Sequence, residues 1–193
     1  MADGRLPARW ETARLVLRSY TQEDASWYYP MSLRNRDHLR HYESGNVIMS
    51  LTSEQHSREI LDELARYWKQ GVCYFVGVFD KATDEFVAQV YVGPFGEAPV
   101  DFIIGYVAEC RHEGRGYVSE AVASTVTHVF SDLAADQVRI HCDEANLRSR
   151  SVAERCGFQL DRIFPEERPG PDGKLDPCNT AVYVQLRTRC SAR

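Results

Sequence analysis

The stretch that most constrains the fold lies between residues 100 and 142. It opens with VDFIIGYVA (100–108), apolar nearly throughout, as in a strand covered on both faces. Val118, Ala121, Val122, Thr125, Val126, Val129, Phe130 and Leu133 then recur at i, i+3, i+4, i+7 and i+8 spacing. That period predicts a helix over 114–133. QVRIHC (137–142) follows as a second strand. A strand, a crossover helix and a strand in this order predict one parallel pair.

The remaining segments build a mostly antiparallel sheet around that pair. RLVLR (14–18) alternates as a strand, and Thr21 with Asp24 caps a helix to about residue 34. Residues 35–50 read as irregular, with a turn at Ser44-Gly45-Asn46. Thr52 and Gln55 form a capping box ahead of a helix carrying Ile60, Leu61, Leu64, Tyr67 and Trp68, which Gly71 stops. Residues 72–80 and 85–93 form a hairpin around the turn at 81–84, and a Pro/Gly loop covers 94–98. Asn146 caps a short helix with Val152, Ala153 and Cys156 on its apolar side, ended by Gly157. FQLDRIF (158–164) and NTAVYVQLR (179–187) close the sheet as an antiparallel pair, and the Pro/Gly-rich segment 165–178 reads as a mobile loop. The expected order is βαα-βββ-α-β-α-ββ, an α/β (α+β) chain with helices on both faces of a mixed sheet.

At 193 residues the chain suffices for one domain with a sizeable core. A net charge of −5 weighs against a duplex nucleic-acid partner. No apolar run reaches membrane-spanning length, and MADGRLPARWETARLVLRSY lacks the apolar centre of a signal peptide. The six cysteines (73, 110, 142, 156, 178 and 190) form no C-x-x-C pair, and most lie in apolar segments. That usage predicts reduced thiols, no zinc site and a cytoplasmic location.

Two motifs carry the chemistry. CRHEGRGYVSEAV (110–122) places Arg111, Gly114 and Gly116 in an R-x-x-G-x-G pattern just before the periodic helix. A helix N-terminus presents unpaired N–H groups and partial positive charge, and glycines there let a phosphate approach the main chain. A plain strand-to-helix turn satisfies the same pattern. The Walker pattern is absent, and Ser119 stands where the dinucleotide fingerprint needs its third glycine. NLRSRSVAERCGF (146–158) has the spacing N-x-x-S-x-x-V-x-x-x-x-G-F, which also describes a capped amphipathic helix.

Taken together these motifs resemble the GNAT superfamily of acetyl-CoA-dependent N-acetyltransferases, in the branch that acetylates the N-termini of bacterial ribosomal proteins. ARLVLRSYTQED (13–24), GYVA (105–108), GRGYVSEA (114–121) and NLRSRSVAERCGF match family segments in the same order. The resemblance implies a single domain with its core over about residues 12–187. It implies a twisted sheet whose central parallel strands splay apart to hold acetyl-CoA as cosubstrate. Tyr106, Val107 and Ala108 would pair with pantetheine. Arg111, His112, Glu113, Gly114, Arg115, Gly116 and Tyr117 would form the pyrophosphate loop, and Asn146 would meet pantetheine at the mouth. Arg148 and Arg150 join Arg111 and Arg115 as candidates for the adenosine phosphates. The branch also implies a homodimer.

Transfer to an amine needs a base for the amine and a proton for the departing thiolate, with no covalent enzyme intermediate. Ser149 matches the family serine three residues after Asn146 and is expected to assist the thiolate. His141, on the strand five residues before Asn146, has the intrinsic pKa for a base. Many relatives carry a glutamate where this chain has Ile103, so Asp101, two residues earlier, is the alternative. Trp27, Tyr28, Tyr29 and Tyr42 are candidates to line an acceptor site between 20–50 and 165–178. Glu43, Glu166, Glu167 and Asp172 are candidates to attract a cationic amine. The acceptor is expected to be a protein N-terminus or a small amine such as an aminoglycoside or polyamine. A non-catalytic acyl-CoA-binding module of the same fold is the alternative.

Overall fold

The computed structural model describes residues 4–98, 100–169 and 174–188. Two short strands, β1 (Arg9–Glu11) and β2 (Leu15–Ser19), lead into the helix α1 (Ala25–Leu39). A single turn α2 (Val47–Ser50) and the long helix α3 (Glu54–Gln70) follow. Next come β3 (Tyr74–Asp80), β4 (Phe86–Pro94), β5 (Asp101–Ala108) and α4 (Tyr117–Asp132). The chain closes with β6 (Gln137–Asp143), α5 (Leu147–Arg155), β7 (Gln159–Pro169) and β8 (Leu175–Leu186). The strands form one eight-stranded sheet in the order β1-β2-β3-β4-β5-β6-β8-β7, in which β5 and β6 are the parallel pair.

Alternating side chains sort the core into two layers. Ala88, Val90, Ile104, Val138 and Ile140 pack with Ala121, Val122, Val126 and Val129 of α4 on one face. On the other, Phe79, Phe86 and Val107 pack with Tyr28 and Met31 of α1 and Leu61 and Leu64 of α3. The second layer contains a buried polar clasp. Gln89 Oε1 accepts from the Tyr20 and Tyr28 hydroxyls, each at 2.9 Å, which fixes α1 on β4.

Several expectations shift. The first helix runs to Leu39, because Asn35 and Leu39 are buried and Asn35 Oδ1 accepts from the distant Cys110 N–H at 2.8 Å. The Thr52–Gln55 box does not form. Ser53 caps α3 instead, accepting from His56 N–H, while Thr52 Oγ1 pairs with His56 Nδ1. Strand β5 is covered on both faces, as expected, with Ile104 buried in one layer and Val107 in the other, while its remaining residues are half-buried. The expected loop at 165–178 is largely strand, since β7 reaches Pro169 and β8 begins at Leu175. Prolines fit there because β7 is an edge strand, and β6 pairs with β8 only over Thr180–Leu186, leaving Pro177 with β7 alone. Cys190 and Asp172 lie outside the described residues. Five cysteines (73, 110, 142, 156 and 178) are free thiols. Among the described residues no helix is long and apolar enough to cross a membrane.

Candidate active site

The parallel pairing of β5 and β6 covers only three rungs, Asp101–Gln137, Phe102–Val138 and Ile103–Arg139. Beyond them the strands separate. Residues 104–108 of β5 keep β4 on one side and have no β6 partner on the other. Tyr106 crosses this gap to α5. Its hydroxyl donates to the Ser149 carbonyl at 2.8 Å and accepts from Ser149 Oγ at 3.1 Å. Burial first of all holds the Tyr106 proton in place, well above the usual phenol range. Asn146 caps α5 by accepting from Ser149 N–H at 3.1 Å, which fixes Ser149 in the first turn.

The glycine motif opens α4. Gly114 (φ 73°) and Gly116 (φ 77°) are both left-handed, a conformation that side chains with a Cβ resist. Gly116 is the N-cap and supplies no side-chain acceptor, so the first-turn N–H groups of α4 are left for a ligand. A Cβ at Gly114 would meet nothing within 4 Å, so the main chain there borders open space. These features fit a pyrophosphate.

The surrounding side chains hold this loop in shape. Buried Glu109 accepts from Arg111 N–H at 2.9 Å and Arg111 Nε at 3.0 Å. Arg111 is therefore tied to Glu109 through Nε while its side chain stays exposed. His112 is buried beneath the loop beside Tyr117, whose hydroxyl donates to Asp80. The Arg115 carbonyl accepts from Arg14 Nη1. Glu113 joins Arg148 of α5 at 2.6 Å and His38 of α1 at 3.4 Å. Arg150 is turned to the Tyr183 hydroxyl and the Glu144 carbonyl. Arg115 and Arg148 are exposed cations at the loop, as is the Arg111 side chain despite its pairing with Glu109.

A cleft of about 1060 Å³ opens on the sheet face opposite α4. It is bounded by the 41–46 turn, the ends of β6 and the β7–β8 hairpin. His141 lines it, yet its Nε2 is buried without a hydrogen-bond partner and its ring packs on Phe95. Burial, then Arg139 and Arg162, push the His141 pKa down. Asp101 is not brought here. It sits on the first paired rung and accepts from Gln137 Nε2. Five residues of strand put it about 16 Å from Tyr106. Of the four aromatic candidates, Tyr42 lines the cleft. Tyr28 is bound to Gln89, Trp27 packs on Phe79 and Phe86, and Tyr29 packs against the α1–α3 core.

Sequence reasoning underweighted two groups. The Tyr106 hydroxyl was hidden by the strand's main-chain role, and its partner is 43 residues away. Glu43 read as one of four acids that could attract a cationic amine, and its place at the start of the turn closed by Asn46 N–H donating to its carbonyl at 2.9 Å was not foreseen. Its carboxylate is pushed up to about 7 by burial, against a hydrogen bond from Asn46 and the charge of Arg168.

A family model described as an acetyltransferase (GNAT) domain matches residues 14–159. The chain belongs to the GNAT acetyltransferase family. This acetyltransferase is 25% identical over 151 residues to the probable N-acetyltransferase YjcK of Bacillus subtilis, covering 77% of this chain and 82% of that one. Among solved structures it is similar to RimL, a ribosomal L7/L12 α-N-protein acetyltransferase in complex with coenzyme A. The TM-score there is 0.79 at 18% identity, covering 94% of this chain and 97% of that one. It is also similar to Mycobacterium smegmatis RimJ in complex with CoA-disulfide, with TM-score 0.77 at 20% identity, covering 97% and 87%. The acetyltransferase takes acetyl-CoA as cosubstrate and an amine as acceptor.

Proposed function

We propose that this acetyltransferase acts on the α-amino group of a peptide or protein chain. The observation that carries the reading is the cleft of about 1060 Å³ on the acceptor face, at the upper end of small-ligand sites and open along the β7–β8 hairpin. Such a trough accepts an extended chain end-on, with its terminal amine directed at the gap between β5 and β6. The likeness to RimL and RimJ, whose names state ribosomal-protein acetylation in the first case, supports the same acceptor class.

In this reading the loop 111–117 holds the pyrophosphate through main-chain N–H groups, and the open edge of β5 at 106–108 pairs with the pantetheine arm. Acetyl-CoA supplies the activated acetyl group. The Ser149 and Tyr106 hydroxyls stand at the gap as donors to the developing thiolate. A cytoplasmic site of action and a homodimer belong to the same proposal.

The test is thiol release from acetyl-CoA over three acceptors: short peptides with free Ser or Ala N-termini, spermidine and kanamycin. Peptide turnover with kcat/KM at least tenfold above the small amines is expected. Preference for spermidine or kanamycin would move the acceptor to a small polycation. Turnover with none of the three would sink the transferase reading of this site.

A further inference from the structure

The site described so far leaves the proton of the incoming amine without an acceptor. We propose that Glu43, at the first position of the 43–46 turn, is the base that takes it. This rests on the acetyl-transfer reading above and names a residue that neither motif contains.

Geometry is the first ground. A second cavity of about 480 Å³ lies beside the large cleft and reaches Gly105, Tyr106 and Val107 on the open edge of β5. Glu43, Gly45 and Asn46 line both spaces, so the turn stands at their junction. An amine moving from the cleft toward the gap passes the Glu43 carboxylate. That carboxylate is close enough to Tyr106 to add to the upward push on its hydroxyl, after burial and the thiols of Cys142 and Cys156. Glu43 is also positioned, since Asn46 Nδ2 donates to its Oε2 at 3.4 Å while Asn46 itself caps α2.

Electrostatics is the second ground. The charged and titratable groups around the two spaces are His41 and Tyr42 beside Glu43, Tyr91 from β4, Tyr106 from β5, His141, Cys142 and Asp143 from β6, Glu144 just beyond β6, Glu166 and Arg168 from β7, and Asp176 and Cys178 from β8. Arg168 is the permanent cation among them, and it is already occupied by Glu166 and the Thr180 hydroxyl. Glu43 is thus not neutralised by a dedicated partner. With a pKa of about 7 it is partly ionised at neutral pH and basic enough to accept a proton. The rivals are placed less well. His141 Nε2 is shut from solvent, and Asp101 is tied to Gln137 at the paired end of the strands.

The step balances as follows. The substrate ammonium gives one proton to the Glu43 carboxylate. The freed nitrogen lone pair forms the C–N bond to the acetyl carbon while the C–S bond breaks. The nitrogen's second proton ends on the thiolate sulfur, relayed by the Tyr106–Ser149 hydroxyls. Glu43 then releases its proton to solvent through the open cleft, giving amide, free CoA thiol and one proton.

Glu43→Gln keeps the shape and removes the base. With the best acceptor of the panel, kcat is expected to fall roughly 100-fold. The rise of kcat through pH 7 expected of the wild type should flatten, and acetyl-CoA affinity by calorimetry should stay within about threefold, which also reports a folded protein. Wild-type kcat and pH profile in Glu43→Gln, with that limb lost in His141→Ala, would overturn the proposal and leave the transferase reading standing. A second measurement needs no acceptor. Carbon NMR of glutamate-labelled protein should show one carboxyl titrating near pH 7 that vanishes in Glu43→Gln. A Glu43 carboxyl titrating in the ordinary range would count against the assignment even if every amine proved inert.

Discussion

The two sides of the β5–β6 gap are made of different material. On the α4 side the working surface is main chain: left-handed Gly114 and Gly116, a helix N-terminus without a side-chain cap, and the unpaired edge of β5. On the other side it is side chain: Glu43 and Tyr42 from one turn, His141 from a strand, and charged groups from the β7–β8 hairpin. A main-chain surface recognises a phosphate by geometry that few residues other than glycine permit. A side-chain surface is re-specified by single substitutions without disturbing the fold. The proposed cosubstrate side is therefore constrained and the proposed acceptor side is free to vary.

The largest effect should come from breaking the main-chain side. Gly114→Glu places a carboxylate in the open space where the phosphate is proposed to lie. At about 4 Å and a near-surface dielectric this repulsion is about 4 kcal/mol, or roughly a thousandfold in CoA affinity. The left-handed backbone adds a separate cost of about 1–2 kcal/mol to stability. Calorimetry and thermal melts read the two effects independently. Gly114→Asn tolerates the left-handed conformation and carries no charge, so it should weaken CoA far less. Equal losses in both variants would show that strain, not charge, governs the loop.

Next in size is the bridge that joins the two sides. Ser149→Ala removes the hydroxyl that donates to Tyr106, and kcat should fall about 100-fold with acetyl-CoA affinity nearly unchanged. Tyr106→Phe leaves Ser149 Oγ free to turn to the sulfur, and a loss nearer tenfold is expected. A larger loss for Tyr106→Phe would reverse their order and make the phenol the donor. Steady-state kinetics with CoA titrations distinguish these patterns.

This division also explains what could be read without coordinates. The parallel pair, the helix after the glycines, the hairpin at 72–93 and the Asn146 cap were legible because each rests on local period or local capping. The left-handed turn before α4 was legible because Gly114 and Gly116 are close in sequence and glycine admits that conformation. The extension of α1 was not, since it depends on Asn35 meeting Cys110 N–H, 75 residues away. The raised pKa of Glu43 was not, since it comes from burial, which depends on how the folded chain packs around the turn. The strand character of 165–178 was masked by prolines that an edge position tolerates.

The smallest effect tests whether an uncapped helix start is what makes the α4 end a binding surface. Helix α3 begins the ordinary way: Ser53 is extended, and its hydroxyl accepts from His56 N–H at 3.0 Å. Its N-terminal donors are thus partly satisfied from within. Helix α4 begins at a left-handed glycine that offers nothing. Ser53→Ala should therefore cost about 1 kcal/mol of stability, as loss of an N-cap does elsewhere. It should leave CoA affinity and kcat at wild-type values, because α3 donates to itself. At α4 the same donors lack a side-chain cap and are proposed to meet CoA, so CoA should raise the melting temperature of wild type and Ser53→Ala by the same increment. Urea titration gives the first number and ligand-dependent melting the second. A shrunken CoA increment in Ser53→Ala would mean that the two helix starts are coupled through the sheet and that the main-chain side is less self-contained than its geometry indicates.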